Sequence, residues 1–204
     1  MKSEGREIKM CDGIEFITPR YENLTRIAWD IKAKTFLEIG TWRGVTAKNL
    51  ILTAKEYADA SEIYYAGIDL FELMTQELFK QEHSKMPPKH STVLVELQAL
   101  GVPVTLYKGF SNGVLPKLPD KKFDMIYIDG GHRDKTIDQD WIDVQRFIDD
   151  KTVIVFDDYR HNHPGVGCKV LIDELGRGKW GVEILEPTET FKFGKINMVK
   201  VWKR

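Results

Sequence analysis

Short apolar runs alternate with helix-length segments along most of the chain. Five such runs end in small or acidic residues, as buried strands in an alternating fold do. They cover residues 35–39, 63–68, 102–107, 123–128 and 152–156. Strands that alternate with helices predict a parallel sheet that is covered by helices on both faces.

The two ends of the chain have patterns of their own. From Thr18 and Pro19, apolar residues recur at helical spacing as far as Ile31, which predicts a cover helix within residues 1–32. Residues 182–185 and 197–202 are strand-like with no helix between them, so we expect an antiparallel hairpin. No linker divides the chain, and we expect one domain over residues 1–204.

Residues 71–101 form a long connection that is interrupted by Pro87 and Pro88. Two packing helices joined by a proline turn explain this pattern. A lid over a substrate, formed by the first half of the segment, is the alternative interpretation.

The charged residues nearly cancel, with 30 basic against 31 acidic side chains. This balance argues against nucleic acid or an anionic membrane as partner and favours a small molecule. The N-terminus lacks the apolar core of a signal sequence, so we expect a cytoplasmic protein. Cys11 and Cys168 are far apart and indicate neither a disulfide framework nor a thiolate zinc site. A bound metal would therefore need oxygen or imidazole ligands.

The ends of the first two strands suggest a nucleoside site, because open parallel sheets bind ligands at the carboxyl ends of their strands. Gly40 would allow a tight turn near a ligand, and Gly44 would allow the next helix to start close by. Asp69 ends the second strand, where a carboxylate can accept hydrogen bonds from ribose hydroxyls. Taken singly, a plain strand–helix turn and a helix cap explain these residues as well.

The remaining strand ends carry the most distinctive residues. The segment Gly109-Phe110-Ser111 offers a turn, an aromatic face and a hydroxyl beside a base. Asp129-Gly130-Gly131-His132 and Asp157-Asp158 follow the fourth and fifth strands, so three carboxylates and an imidazole should converge. Such a cluster needs a neutralising cation, and Mg²⁺ accepts oxygen ligands. Alternatively, Asp157 and Asp158 form a solvated turn, and His132 is a structural histidine at a helix start. In either case we expect Asp157 at an exposed strand end.

In chain order these motifs resemble class I S-adenosylmethionine-dependent methyltransferases. They are most similar to the metal-dependent O-methyltransferases of methyltransferase family 24, which include catechol, caffeoyl-coenzyme A and macrocin-type sugar enzymes. The resemblance covers residues 33–202. It implies an α/β fold with a Rossmann-like doubly wound sheet, mostly parallel, with a C-terminal antiparallel hairpin.

The resemblance also assigns roles to residues. Asp129, Asp157 and Asp158 would bind a divalent cation, and His132 would be the catalytic base, since Gly131 stands where several sugar-methylating relatives carry an acid. The residues that would bind S-adenosylmethionine are Glu38, Gly40, Thr41, Trp42, Gly44, Asp69, Leu70, Gly109, Phe110, Ser111 and Asp129.

The expected reaction is methyl transfer from S-adenosylmethionine to a hydroxyl of a phenol or sugar. A metal such as Mg²⁺ lowers the pKa of a bound hydroxyl, and a neutral imidazole can accept its proton. Related enzymes are often dimers, so a homodimer is also expected. The alternatives are a nicotinamide-dependent oxidoreductase, which would carry Gly-x-Gly-x-x-Gly, a metal-dependent hydrolase, and a non-enzymatic nucleoside-binding protein.

Overall fold

A computed structural model describes residues 13–82, 85–163, 165–192 and 194–204. Its strands form one sheet in the order β3-β2-β1-β4-β5-β7-β6. The strands are β1 (Thr35–Ile39), β2 (Tyr64–Asp69), β3 (Val104–Lys108), β4 (Met125–Ile128), β5 (Val153–Arg160), β6 (Trp180–Phe191) and β7 (Gly194–Lys203). The strand order reverses direction between β1 and β4, which is where ligands bind in open α/β sheets.

Seven α-helices lie in the described part of the chain. They are α1 (Glu22–Ile31), α2 (Val45–Lys55), α3 (Gln76–Gln81), α4 (His90–Gln98), α5 (Ser111–Val114), α6 (Asp134–Val144) and α7 (Lys169–Leu175). Single 3-10 turns cover Pro19–Tyr21, Phe71–Leu73, Leu115–Lys117 and Gln145–Phe147. None of the helices in the described ranges has the length and apolarity needed to cross a membrane.

Strands β1 to β5 are mutually parallel, and β7 pairs with β5 and β6 in antiparallel fashion. Alternate residues of the strands face two separate cores. Phe36 packs with α1, α2 and α4 on one face, whereas Leu37 packs with α6 and α7 on the other. The expected doubly wound sheet with a C-terminal hairpin is therefore confirmed.

The fifth strand continues past the point where its apolar run ends. It was expected to stop at Phe156, but Asp157 and Asp158 lie within β5, and pairing resumes at Tyr159 opposite Asn197. The register shifts between Phe156 and Tyr159, and Asp158 has a φ of 58°, so the two acids form a bulge. Backbone pairing with β7 extends the strand beyond its apolar run. The pattern of apolar side chains does not predict this pairing.

Several connections also differ from the expectation. The short helices α5 and α7 were not predicted, and β6 runs on as far as Phe191. In residues 71–101 the structure has a 3-10 turn and two helices with Pro87 and Pro88 between them. The lid role of this segment stays a prediction. The polar leader with Cys11 lies outside the described residues, and Cys168 is buried.

The end of β1 touches the end of β4 through Gly40. A Cβ atom on Gly40 would lie 2.0 Å from the backbone oxygen of Asp129, and the residue has a φ of +96°. Gly101 also has a positive φ, +74°, but apart from its neighbours in the chain no atom of the described residues lies within 4 Å of a Cβ built there. Both glycines thus have a positive φ, which strains other residues. At Gly40 a Cβ would also clash with the backbone of Asp129.

We therefore expect Gly40→Ala to destabilise the protein by at least about 2–3 kcal/mol, because it combines a strained φ with a backbone clash. Gly101→Ala is the matched control and should cost about 1 kcal/mol, from the positive φ alone. Urea unfolding of both variants measures the difference. Equal losses would contradict the role of Gly40 as the contact between the strand ends.

Candidate active site

A cavity of about 450 Å³ opens at the carboxyl ends of β1 to β4. Most of the residues expected to bind the cofactor line it. They are Glu38, Gly40, Thr41, Trp42, Asp69, Leu70, Gly109, Phe110, Ser111 and Asp129, and His132 lies in the same wall. The sequence analysis missed other lining residues, among them Tyr21, Met74, Glu82, Lys85 and Asp140.

Gly44 does not line the cavity, in contrast to its expected place beside the cofactor. It caps α2 with a φ of 73°, and a Cβ atom there would lie 3.0 Å from Val93 of α4. Glycine is thus favoured here because the backbone is left-handed and because α2 packs closely against α4. Spacing in the sequence could not separate this role from ligand contact, because both favour glycine.

Asp69 fixes the glycine turn from the neighbouring strand. Its Oδ2 accepts a hydrogen bond of 2.7 Å from the backbone N–H of Trp42, and its Oδ1 accepts one of 3.1 Å from Phe71. Burial raises the pKa of Asp69 above its usual value. Asp69 also lines the cavity, so the residue that fixes the turn is part of the cavity wall.

Glu38 is a buried acid in the floor of the cavity, with 1% of its surface exposed. Burial raises its pKa to about 8, although a hydrogen bond donated by the Tyr65 hydroxyl opposes this shift. The side chain is therefore largely protonated at neutral pH. It contributes a neutral polar group to the cavity, not a fixed negative charge.

Asp129, His132 and Asp158 come together beside this floor. One ligand atom from each lies within 4.8 Å of the other two. His132 Nδ1 is 3.0 Å from Asp158 Oδ2, and His132 Nε2 is 3.8 Å from Asp129 Oδ1. Burial lowers the pKa of His132, so its imidazole is neutral near pH 7 and can accept a proton or bind a cation.

Asp157 is held elsewhere. Arg20 binds both of its oxygens, at 3.0 Å to Oδ1 and 2.9 Å to Oδ2, and the Tyr21 hydroxyl lies 3.1 Å from Oδ2. Burial would raise the pKa of Asp157, but the charge and hydrogen bonds of Arg20 hold it below its usual value. The residue is 4% exposed, so the expectation of an exposed strand end was wrong.

Two arginines supply charge that the sequence analysis had assigned to a metal alone. Arg20 neutralises Asp157, and Arg160 lies 3.0 Å from Asp158 Oδ2. Asp129 differs, because burial and then the charge of Asp157 raise its pKa well above the usual value. The donor set of Asp129, His132 and Asp158 fits a divalent cation, because its carboxylates suit Mg²⁺ or Mn²⁺ and its imidazole suits Zn²⁺. The assignment of Asp157 as a third carboxylate ligand stays a prediction, which requires Arg20 to release it.

Comparison with known proteins places the chain in a family. A family model described as a methyltransferase domain matches residues 37–159, which run from within β1 to within β5. The chain belongs to this methyltransferase domain family. No curated protein matches it significantly.

Solved structures share the fold at low sequence identity. The O-methyltransferase TomG from Streptomyces achromogenes, in complex with SAM, is 18% identical, with a TM-score of 0.67 over 93% of this chain and 82% of that one. The O-methyltransferase from Bacillus cereus, in complex with SAH, is 14% identical, with a TM-score of 0.65 over 94% and 84%. A precorrin-6y C5,15-methyltransferase from Geobacter metallireducens is 13% identical, with a TM-score of 0.58 over 89% and 88%.

The buried acid Glu38 generates a pH prediction. Its pKa is about 8 in the folded protein against 4.5 for the ordinary group, so the parent protein loses stability as pH rises from about 5 to 8. Glu38→Gln cannot ionise at this position. The difference between its free energy of unfolding and that of the parent should therefore shift in favour of the variant by up to about 1.4 kcal/mol per pH unit in that window. Glu56→Gln, at an exposed position, is the control. A pH-independent difference for Glu38→Gln in urea unfolding would contradict a raised pKa.

The pair of Arg20 and Asp157 generates a second prediction. Arg20→Met leaves a buried carboxylate without its cation and should cost about 3–5 kcal/mol in urea unfolding. The double variant Arg20→Met, Asp157→Asn should lose less than the sum of the single losses, because each partner is costly chiefly when it is alone. Lys203→Met breaks the exposed pair with Asp150 and should change little. Additive losses at Arg20 and Asp157 would mean that they are not energetically coupled.

Proposed function

We propose that this protein is an S-adenosylmethionine-dependent O-methyltransferase that acts on a small molecule and is assisted by a divalent cation and a histidine base. One observation carries the proposal. A single cavity brings the glycine turn at Gly40, the acid Asp69 and the turn at Gly109 next to Asp129 and His132. The residues of the proposed nucleoside site therefore share one cavity with a group that can accept a proton.

The methyl donor would lie along the strand ends. Gly40 and Thr41 border its methionine part, where the absence of a Cβ on Gly40 allows close approach. Asp69 accepts hydrogen bonds from the ribose, and Leu70, Phe110 and Ser111 border the base. SAM and SAH in the complexes of TomG and the Bacillus cereus enzyme support this donor.

His132 would accept the proton of the attacking hydroxyl. The methyl group of a sulfonium is already activated, so the protein must chiefly align the nucleophile and remove its proton. The 3.0 Å contact with Asp158 orients the imidazole, and burial keeps it neutral. A cation held by Asp129 and Asp158 would lower the pKa of the acceptor hydroxyl.

A nicotinamide-dependent oxidoreductase is the main competing function. Ligand binding separates the two, because only a methyltransferase should bind S-adenosylhomocysteine tightly. We expect calorimetry to detect this product and no comparable affinity for NAD. Asp69→Asn should weaken product binding about tenfold or more, since it removes a charged acceptor from the ribose hydroxyls.

Asp150→Asn is the matched control for this experiment, because its side chain is 94% exposed and remote from the cavity. It should bind the product as the parent protein does. Tight binding of NAD alone would overturn the proposed donor.

Methyl transfer to a panel of catechols and sugars tests the chemistry. A chelator should abolish transfer, and Mg²⁺ or Mn²⁺ should restore it. His132→Gln should lower kcat by about 10²–10⁴ with nearly unchanged affinity for S-adenosylhomocysteine, as expected for loss of a general base. Asp158→Asn should raise the metal concentration needed for half-maximal activity.

The readouts separate the roles of His132 and the cation. If His132→Gln changes the metal requirement and leaves kcat at saturating metal intact, the histidine is a ligand and not the base. Full activity in the presence of the chelator would remove the cation from the mechanism.

A further inference from the structure

Asp140 is a buried acid that the chemistry described above does not use. It lies on α6 with 1% of its surface exposed, and it lines the cavity. Neither of its oxygens has a hydrogen-bond partner of normal geometry among the described residues, although the Ser111 hydroxyl is close enough to affect its ionisation. A buried carboxylate without a partner is costly, which points to a donor supplied by a ligand.

The surroundings of Asp140 indicate which part of a ligand it meets. Its Oδ2 would lie 3.5 Å from a Cβ built on Gly130, so it borders the turn after β4. Ser111 begins α5 after β3, and Phe110 beside it is 53% exposed and presents an aromatic face. In the proposed function this is the end of the cavity that borders the base, and Asp69, which also lines the cavity, binds the ribose.

An adenosyl ligand offers few donors to such an acid, namely the ribose hydroxyls, the ammonium of the methionine part and the exocyclic amine of adenine. In the proposed function the ribose lies at Asp69 and the methionine part at Gly40 and Thr41, which leaves the amine of adenine. We propose that Asp140 is a specificity-determining residue that accepts a hydrogen bond from the 6-amino group of the adenine base. The inference rests on the proposed function, because it presupposes an adenosyl ligand in this cavity.

The ionisation of Asp140 is compatible with that role. Burial raises its pKa to about 7, the Ser111 hydroxyl lowers it, and the neighbouring acids Asp143 and Glu82 raise it. At pH 8 the ionised form therefore predominates, and this form can only accept hydrogen bonds. An amine is thus favoured over a carbonyl at the same position of the base.

Two ligands that differ at this edge of the base test the inference. S-adenosylhomocysteine has the 6-amine and an unprotonated N1, and S-inosylhomocysteine has a 6-carbonyl with a hydrogen on N1. At pH 8 the parent protein should bind the adenosyl compound about tenfold to hundredfold more tightly in calorimetry. Asp140→Asn should lose most of this preference, because a carboxamide can also present its N–H groups to a carbonyl.

Asp138→Asn is the matched control, since it removes a carboxylate from the exposed side of the same helix. It should keep the parent preference. Thermal unfolding of each variant establishes that it is folded, and Asp140→Ala, which should bind both ligands weakly, serves if Asp140→Asn does not fold.

The outcomes distinguish the two proposals. If the parent binds neither ligand, the proposed function fails. If it binds both equally, or if both Asp140 variants keep the parent preference, the methyl donor stands and the role of Asp140 is overturned.

Discussion

The site depends on the neutralisation of buried carboxylates at the ends of β4 and β5. Arg20 binds both oxygens of Asp157 and also pairs with Glu189 of β6. A buried acid that loses its cation is strongly destabilising, so this contact fixes the segment before α1 against the sheet. Tyr21, the next residue, is held with its hydroxyl 3.3 Å from Asp129 and 3.1 Å from Asp157. The N-terminal segment is thereby part of the cavity wall and not only a cover.

The bulge in β5 gives two adjacent acids different partners. In a regular strand, consecutive side chains point to opposite faces of the sheet, and only one of the two could reach the site. The left-handed backbone of Asp158 breaks that alternation, so Asp157 meets Arg20 while Asp158 meets His132 and Arg160. Strain of this kind is tolerated where it positions functional groups. The same strand end can therefore hold an ion pair for stability and a polar cluster for chemistry.

The sequence predicts the strands and the strand-end residues that line the cavity because both follow from local patterns. Apolar runs mark β1 to β4 closely, and Gly40 and Asp69 lie where a strand end must turn. Contacts between residues that are far apart in the sequence have no such local pattern. Arg20 is one arginine in a polar stretch, and only the fold brings it to Asp157, 137 positions away. In the sequence, Asp140 is a polar residue beside the apolar helix face of Ile137 and Trp141, and this pattern does not predict burial. In the structure it is buried and lines the cavity.

In the proposed function, the walls of the cavity that would hold the acceptor come from different elements than the walls that would hold the methyl donor. The donor residues sit on strand ends and glycine turns, whose backbone hydrogen bonds and close contacts tolerate few alternatives. The remaining walls come from connections, with Met74, Glu82 and Lys85 in residues 71–101 and Tyr21 in the N-terminal segment. Trp42 connects the glycine turn to residues 71–101, because it lines the cavity and its indole N–H donates to the backbone oxygen of Met86. Connections vary in length and composition without loss of the sheet, and this is why the pattern that identifies the donor carries so little information about the acceptor.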